Sequence, residues 1–176
     1  PVLAAALALP GAPGAGEAAL AAREVRFALD VTQVGGRTLA EVPAQYVTLP
    51  LEAETSSPAA VPGAKMTAVV GRAEQPQHFR AWLPDEGLHN LVSRRAFEIV
   101  WNEGTDDAWI TFLGSHLLSV NNKVLKKDHA EPIKAGSTIR LTSAPYAGVP
   151  GKTLISFLFR ACPPEALPRR SLGAPA

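Results

Sequence analysis

A single cysteine, Cys162, stands in 176 residues, which excludes an internal disulfide and every zinc site built from several cysteines. An excess of either charge is also missing. Lys and Arg number 17 against 16 Asp and Glu, a formal net charge of +1, so the overall balance names no nucleic acid or other polyanion as partner. The uninterrupted apolar run Val2 to Leu9 stops after eight residues at Pro10, whereas a membrane-spanning helix needs about 20. Four histidines, His78, His89, His116 and His129, are dispersed at no metal-ligand spacing and read as solvated or hydrogen-bonded loop residues. The glycines from Gly11 to Gly16 follow no strand and open no strong helix, so they form no dinucleotide loop. Neither a repeat of fixed period nor a nucleophile–base constellation is present, and neither a cofactor nor an enzymatic activity is expected.

What is present points to a β-rich domain. Hydrophobic residues make up 47%, enough for a real core, while 14 Gly and 16 Pro argue for many turns and against a helical bundle. The length suits one domain of about 150 residues plus appended segments. Residues 1–22 hold ten alanines. Their apolar run is similar to the central part of a targeting peptide without a basic segment ahead of it. With Pro1 in first place, they read as an Ala/Pro/Gly leader or docking extension on a processed form or a fragment. Residues 163–176 carry Pro163, Pro164, Pro168 and Pro175 with Arg169 and Arg170, and read as a tail. The domain is thus expected over 23–162. Secretory, organellar and cytosolic compartments all stay open.

Within it, short alternating segments punctuated by turns dominate, the pattern of a sandwich or barrel. Val25, Phe27, Leu29 and Val31 alternate with polar or small residues until Gly35 and Gly36, giving a half-buried strand over 24–34. Further strands are expected at Tyr46 to Leu51 and Met66 to Val70. Leu88, Leu91, Val92 and Arg95 have near-helical spacing over about one turn, and Gln75, Pro76, Phe79, Trp82 and Pro84 suggest a packed loop. Phe97, Ile99 and Trp101 alternate ahead of the polar run Asn102 to Asp107, and Trp109 to Leu113 completes a hairpin. Leu117 to Val120, then Asn121 and Asn122, then Lys123 to Leu125 read as a tight type I′ hairpin, because Asn tolerates positive φ. Thr138 to Thr142 and Thr153 to Arg160 are the last strands, the second lacking polar breaks as if covered on both faces.

In order along the chain, Val70-Gly71-Arg72, Val92-Ser93-Arg94-Arg95-Ala96-Phe97-Glu98-Ile99, Leu113-Gly114-Ser115, Val120-Asn121 and Ala135 to Leu141 resemble a forkhead-associated (FHA) domain. The resemblance covers 66–160. It implies an all-β, FHA-like β-sandwich of two twisted sheets with irregular N- and C-terminal extensions, in which loops at one end recognise phosphothreonine on a partner. Arg72 is similar to the family's phosphate-clamping arginine and Ser93 to its phosphate-bonding serine; Arg94 would add charge beside them. Such residues suit a phosphate of about −1.5 to −2 charges, since charge-assisted hydrogen bonds are the strong ones.

Other positions depart from the pattern. The histidine that braces the binding loop is replaced by Ala96. Where the family usually reads Ser, any residue, Asn, Gly, this chain has Gly114, Ser115, His116, Leu117 and Leu118, so His116 or Leu117 replaces the peptide-binding asparagine. Asn121 matches the family's structural asparagine, with Asn122 in place of glycine.

The phosphopeptide site expected from the resemblance is therefore Arg72, Ser93, Arg94, Ser115 and His116, with no metal. The plainer account of Arg72 and Ser93 is a surface charge and a turn hydroxyl. Lys123, Lys126, Lys127 and Lys134 read as a solvated face, Asp106 and Asp107 as turn formers, and Cys162 as a small apolar residue. Trp82, Phe97, Trp101, Trp109, Phe112, Phe157 and Phe159 read as core. The expected function is a non-catalytic interaction module or assembly subunit. Its partners would be proteins, phosphorylated on threonine in one version. In the other, the pocket is idle in a structural subunit of a large, organellar membrane complex, with both extensions docked on neighbouring subunits.

Overall fold

The computed structural model describes residues 25–55, 63–145 and 147–163. The expected leader at 1–22, and all of the expected tail but Pro163, lie outside the described residues. Along the chain run β1 (Phe27–Val34), β2 (Thr48–Pro50), β3 (Glu54–Thr55), β4 (Lys65–Val70), α1 (Pro76–Trp82), α2 (Glu86–Leu91), β5 (Phe97–Asn102), β6 (Ala108–Phe112), β7 (Leu117–Val120), β8 (Lys123–Val124), β9 (Ala130–Ile133), β10 (Thr138–Thr142) and β11 (Thr153–Ala161). One sheet has the order β2-β1-β11-β10-β7-β8 and the other β3-β4-β5-β6-β9, with antiparallel pairing in both.

Alternation decides which side chains lie between the sheets. Phe97, Ile99 and Trp101 of β5 face inward from one sheet, and Phe27 and Leu29 of β1 with Phe157 and Phe159 of β11 face inward from the other; all are buried. Phe27 stacks on Phe159 at 4.9 Å and meets Trp101 edge-on at 5.4 Å. β11 pairs along both edges, with β1 and β10, and on its outer face Leu154 and Ser156 are buried as well. Trp109 is the exception to the expected aromatic core. It points to the outer face of β6, between inward-facing Ala108 and Ile110, and is only half-buried.

Two other expectations are corrected, and two short edge strands were not foreseen. The second strand begins at Thr48, because Ala44–Tyr46 forms a 3-10 turn. Edge strands β3 and β9 were too short to show alternation, and β9 carries Pro132, which is tolerated at an edge. The packed loop expected from Gln75 to Pro84 is instead the short helix α1, and the near-helical spacing that includes Leu88 and Leu91 falls on a second short helix, α2. Pro76 opens α1, where its missing N–H has no cost. Phe79 and Trp82, three residues apart, both turn inward and are fully buried, and the Trp82 indole N–H donates to the Tyr46 carbonyl at 2.6 Å. Asp85 caps α2 by accepting the Leu88 N–H at 2.9 Å, and extended backbone at Val92 ends it before Ser93.

The register sets the poles of the sandwich. Val70 pairs with Phe97 and Phe97 with Phe112, while Leu117 pairs with Thr142 and Thr142 with Thr153. The loops after β4, before β5, between β6 and β7 and between β10 and β11 therefore share one end.

Candidate functional site

At that end, Gly71 lets two loops touch. Any Cβ there would collide with the carbonyl of Arg94 and come within 2.7 Å of the Arg95 Cα. The resulting close approach is closed by two backbone bonds, Arg72 N–H to the Ser93 carbonyl at 3.3 Å and Ala73 N–H to the Arg94 carbonyl at 3.1 Å. Gln75 braces the turn from inside, its Oε1 accepting the Gly71 N–H at 3.0 Å and its Nε2 donating to the Val69 carbonyl at 2.8 Å. Sequence reasoning missed this role for Gln75, because a glutamine four residues beyond a glycine is too common a pattern to stand out.

Arg72 is half-buried and its Nε donates to the Val92 carbonyl at 2.7 Å. That bond fixes the plane of the guanidinium while the two Nη nitrogens have no partner among the described residues. The Ser93 Oγ accepts the Ser115 N–H at 3.1 Å and lies 3.3 Å from the Ser115 Oγ. The Ser93 neighbour is thus another hydroxyl, not a base, and the pair supplies hydrogen-bond donors without an activated nucleophile. Gly114 makes the contact possible, since a Cβ there would lie 2.8 Å from the Ser93 Oγ. The carbonyl of buried Ala96 accepts the N–H groups of both Leu113 and Gly114, each at 2.9 Å, and so ties the loop after β6 to the start of β5.

Of the two positions that could replace the family's asparagine, His116 lies in the loop and Leu117 already begins β7. The His116 Nδ1 accepts the Ala144 N–H at 3.2 Å and ties this loop to the one between β10 and β11. Between them opens a groove of about 550 Å³, lined mainly by Leu91, His116, Pro145, Val149, Pro150 and Lys152. Arg94 and Ser115 are exposed. The structure therefore brings Arg72, Ser93, Arg94, Ser115 and His116 to one rim. Asn121 belongs elsewhere: at φ 49° it accepts the Thr138 N–H at 2.9 Å and holds the β7–β8 hairpin.

Chemically the rim offers a pinned guanidinium, two hydroxyls and an imidazole, a set suited to holding an oxyanion. Among the described residues no group of three or more His, Cys, Asp or Glu could hold a metal, and no helix is long and apolar enough to cross a membrane.

No family model and no curated protein matches the chain. Among solved structures it is similar to an engineered FHA with Myc-pTBD peptide, at 15% identity over 79% of this chain and 93% of that one, with a TM-score of 0.48. It is similar also to the N-terminal FHA domain of Rad53 from S. cerevisiae in complex with a phosphothreonine peptide, at 12% identity, 78% and 94% coverage and a TM-score of 0.47. The MEK1 FHA domain is a further neighbour, at 17% identity, 78% and 91% coverage and a TM-score of 0.45. The order of strands, the two facing sheets and the loops gathered at one pole make this chain a β-sandwich of FHA-like architecture.

Proposed function

We propose that this chain is an interaction module whose Arg72–Ser93 rim captures a phosphothreonine on a partner protein. The single observation that carries this reading is the state of Arg72: half-buried, held by its Nε on the Val92 carbonyl, with both Nη nitrogens free of a partner among the described residues, and with its backbone N–H bonded to the Ser93 carbonyl at 3.3 Å. A pre-oriented guanidinium loses little side-chain entropy on meeting a phosphate and can bond it in bidentate fashion. The Ser93 oxygen accepts the Ser115 N–H, and the two hydroxyls, 3.3 Å apart with either able to donate to the other, leave one proton between them for the phosphate. Arg94 adds positive charge, and His116, with Nδ1 occupied, presents Nε2 to the peptide main chain. The groove between His116 and Val149 takes an apolar side chain beside the phosphothreonine.

Calorimetry with a phosphothreonine peptide library tests this. Binding is expected to vanish when the phosphate is removed. Arg72→Ala is expected to cost about 1.5–3 kcal/mol, roughly 10- to 150-fold in affinity, the usual value of a hydrogen bond to a charged group. A library in which no phosphopeptide binds would defeat the proposal.

A further inference from the structure

On the outer face of the sheet that contains β11, strand register draws one row through Gln33, Ser156, Arg140, Ser119 and Val124. Arg140 stands in the middle of it. Its neighbours on the same face of β10 are Thr138 and Thr142, and Leu158 and Leu117 lie diagonally across on the flanking strands. All of these are neutral. The strands of this sheet contain one carboxylate, Asp30, which lies two strands away on β1 and is bound by Arg160 at 2.7 Å and by the Thr48 hydroxyl at 2.6 Å. At the sheet edge Lys123 is paired with Glu131 at 2.6 Å.

Arg140 therefore has no counterion, and it makes no hydrogen bond among the described residues. Its Nε is buried without a partner, while the two Nη nitrogens reach solvent. A guanidinium stripped of part of its water with nothing in its place gains more from an arriving carboxylate than a fully hydrated one does. Apolar surface adjoins it: Val124 is 58% exposed at the end of the row, and Leu117 and Leu158 are half-buried. A free anion leaves that surface unused, whereas a protein segment covers it. A second copy laid face to face over Arg140 about a two-fold axis would set like charge against like.

We infer that this face docks a partner protein through a segment that sets an aspartate or glutamate on the Arg140 guanidinium and apolar side chains beside it on Leu117, Leu158 and Val124. The docking uses neither the Arg72 rim nor a phosphate.

The test selects a phage-displayed library of random, unphosphorylated peptides on the full chain and measures the enriched peptides by calorimetry on the full chain, Arg140→Gln and Val124→Ser. Peptides with an acidic residue flanked by apolar ones are expected. Arg140→Gln, or the amide in place of the peptide's acid, is expected to weaken binding roughly ten-fold or more, as the loss of a hydrogen bond to a charged group does, and Val124→Ser roughly two- to five-fold. Unchanged thermal melts show that both variants keep the fold. If no enriched peptide loses affinity in Arg140→Gln, or those that do carry no acid, the inference is overturned. Protection of the melt by inorganic phosphate that needs Arg140, with no such peptide, marks a free-anion site, and a dimer in sedimentation that Arg140→Gln dissolves marks a second copy; either overturns it too. A phosphothreonine library that fails to bind defeats the rim reading and leaves this one standing.

Discussion

The Ser93 hydroxyl oxygen accepts the backbone N–H of Ser115 at 3.1 Å across 22 residues of sequence. Ser93 stands just before β5, in one sheet, and Ser115 stands where the chain leaves β6 for β7 in the other. This bond and the two that end on the Ala96 carbonyl hold the loops before β5 and after β6 together.

Gly114→Ala should therefore damage the rim more than the core. A methyl there would sit 2.8 Å from the Ser93 Oγ and 2.9 Å from the Phe112 ring, forcing the serine off its bond with Ser115. The expected outcome is a stability loss of about 1–2 kcal/mol from overpacking and, on the proposed phosphothreonine reading, a roughly ten-fold or greater loss of phosphopeptide affinity. Urea unfolding and calorimetry on the same sample separate the two effects.

Trp82 reports whether the helical insertion is part of the core. Its ring meets Phe157 at 5.4 Å and Phe79 at 4.9 Å, and its N–H satisfies the Tyr46 carbonyl. Trp82→Ala should cost about 3–5 kcal/mol, and Trp82→Phe, which removes the hydrogen bond but keeps a ring, about 1–2 kcal/mol. Chemical denaturation checks both; a neutral Trp82→Ala would mean the insertion packs independently of the sandwich.

At the β7–β8 turn, Asn121 (φ 49°) and Asn122 (φ 67°) both occupy the left-handed region. Asn121→Ala loses the acceptor of the Thr138 N–H and places a side chain that disfavours this conformation, for an expected loss of about 2 kcal/mol. Asn122→Gly, which restores the family's residue, should be neutral or slightly stabilising. Thermal melts of the two variants should move in these directions.

Asp30 governs acid stability on the outer face of β1. The Arg160 guanidinium holds its carboxyl below the ordinary value, opposed by burial and helped by the Thr48 hydroxyl at 2.6 Å. The folded chain thus releases this proton more readily than the unfolded chain. The pair stabilises the fold above the unfolded carboxylate pKa of about 3.9, and that contribution is lost as pH falls through the lower folded value. In Asp30→Asn this segment of the pH–stability curve should flatten, which urea midpoints measured from pH 7 to pH 2 would show.

Much of the architecture was legible in the residues alone. The 97–113 hairpin could be read because Phe97, Ile99 and Trp101 alternate cleanly on either side of a polar turn, and the β7–β8 hairpin because two asparagines mark positive φ. Trp109 shows the limit of that reading. An aromatic residue announces apolar surface, but the strand's two-residue period, anchored by Ala108 and Ile110, assigns it to the outer face. The helices at 76–91 were obscured because each spans only about two turns, too short for periodicity to separate them from a packed loop.

The residues alone carry the local vocabulary: alternating strands, turns at glycine and asparagine, one thiol, balanced charge, and an arginine and a serine in an order resembling the FHA pattern. Proximity comes from the packed fold. Gly71 matters because the Arg94 backbone lies against it, Arg72 because the Val92 carbonyl fixes its guanidinium, and His116 because Ala144, 28 residues later, donates to it. Each of these contacts joins loops far apart in sequence. They are brought to one pole by the strand registers, which follow from burying one face of every strand at once and not from any local preference.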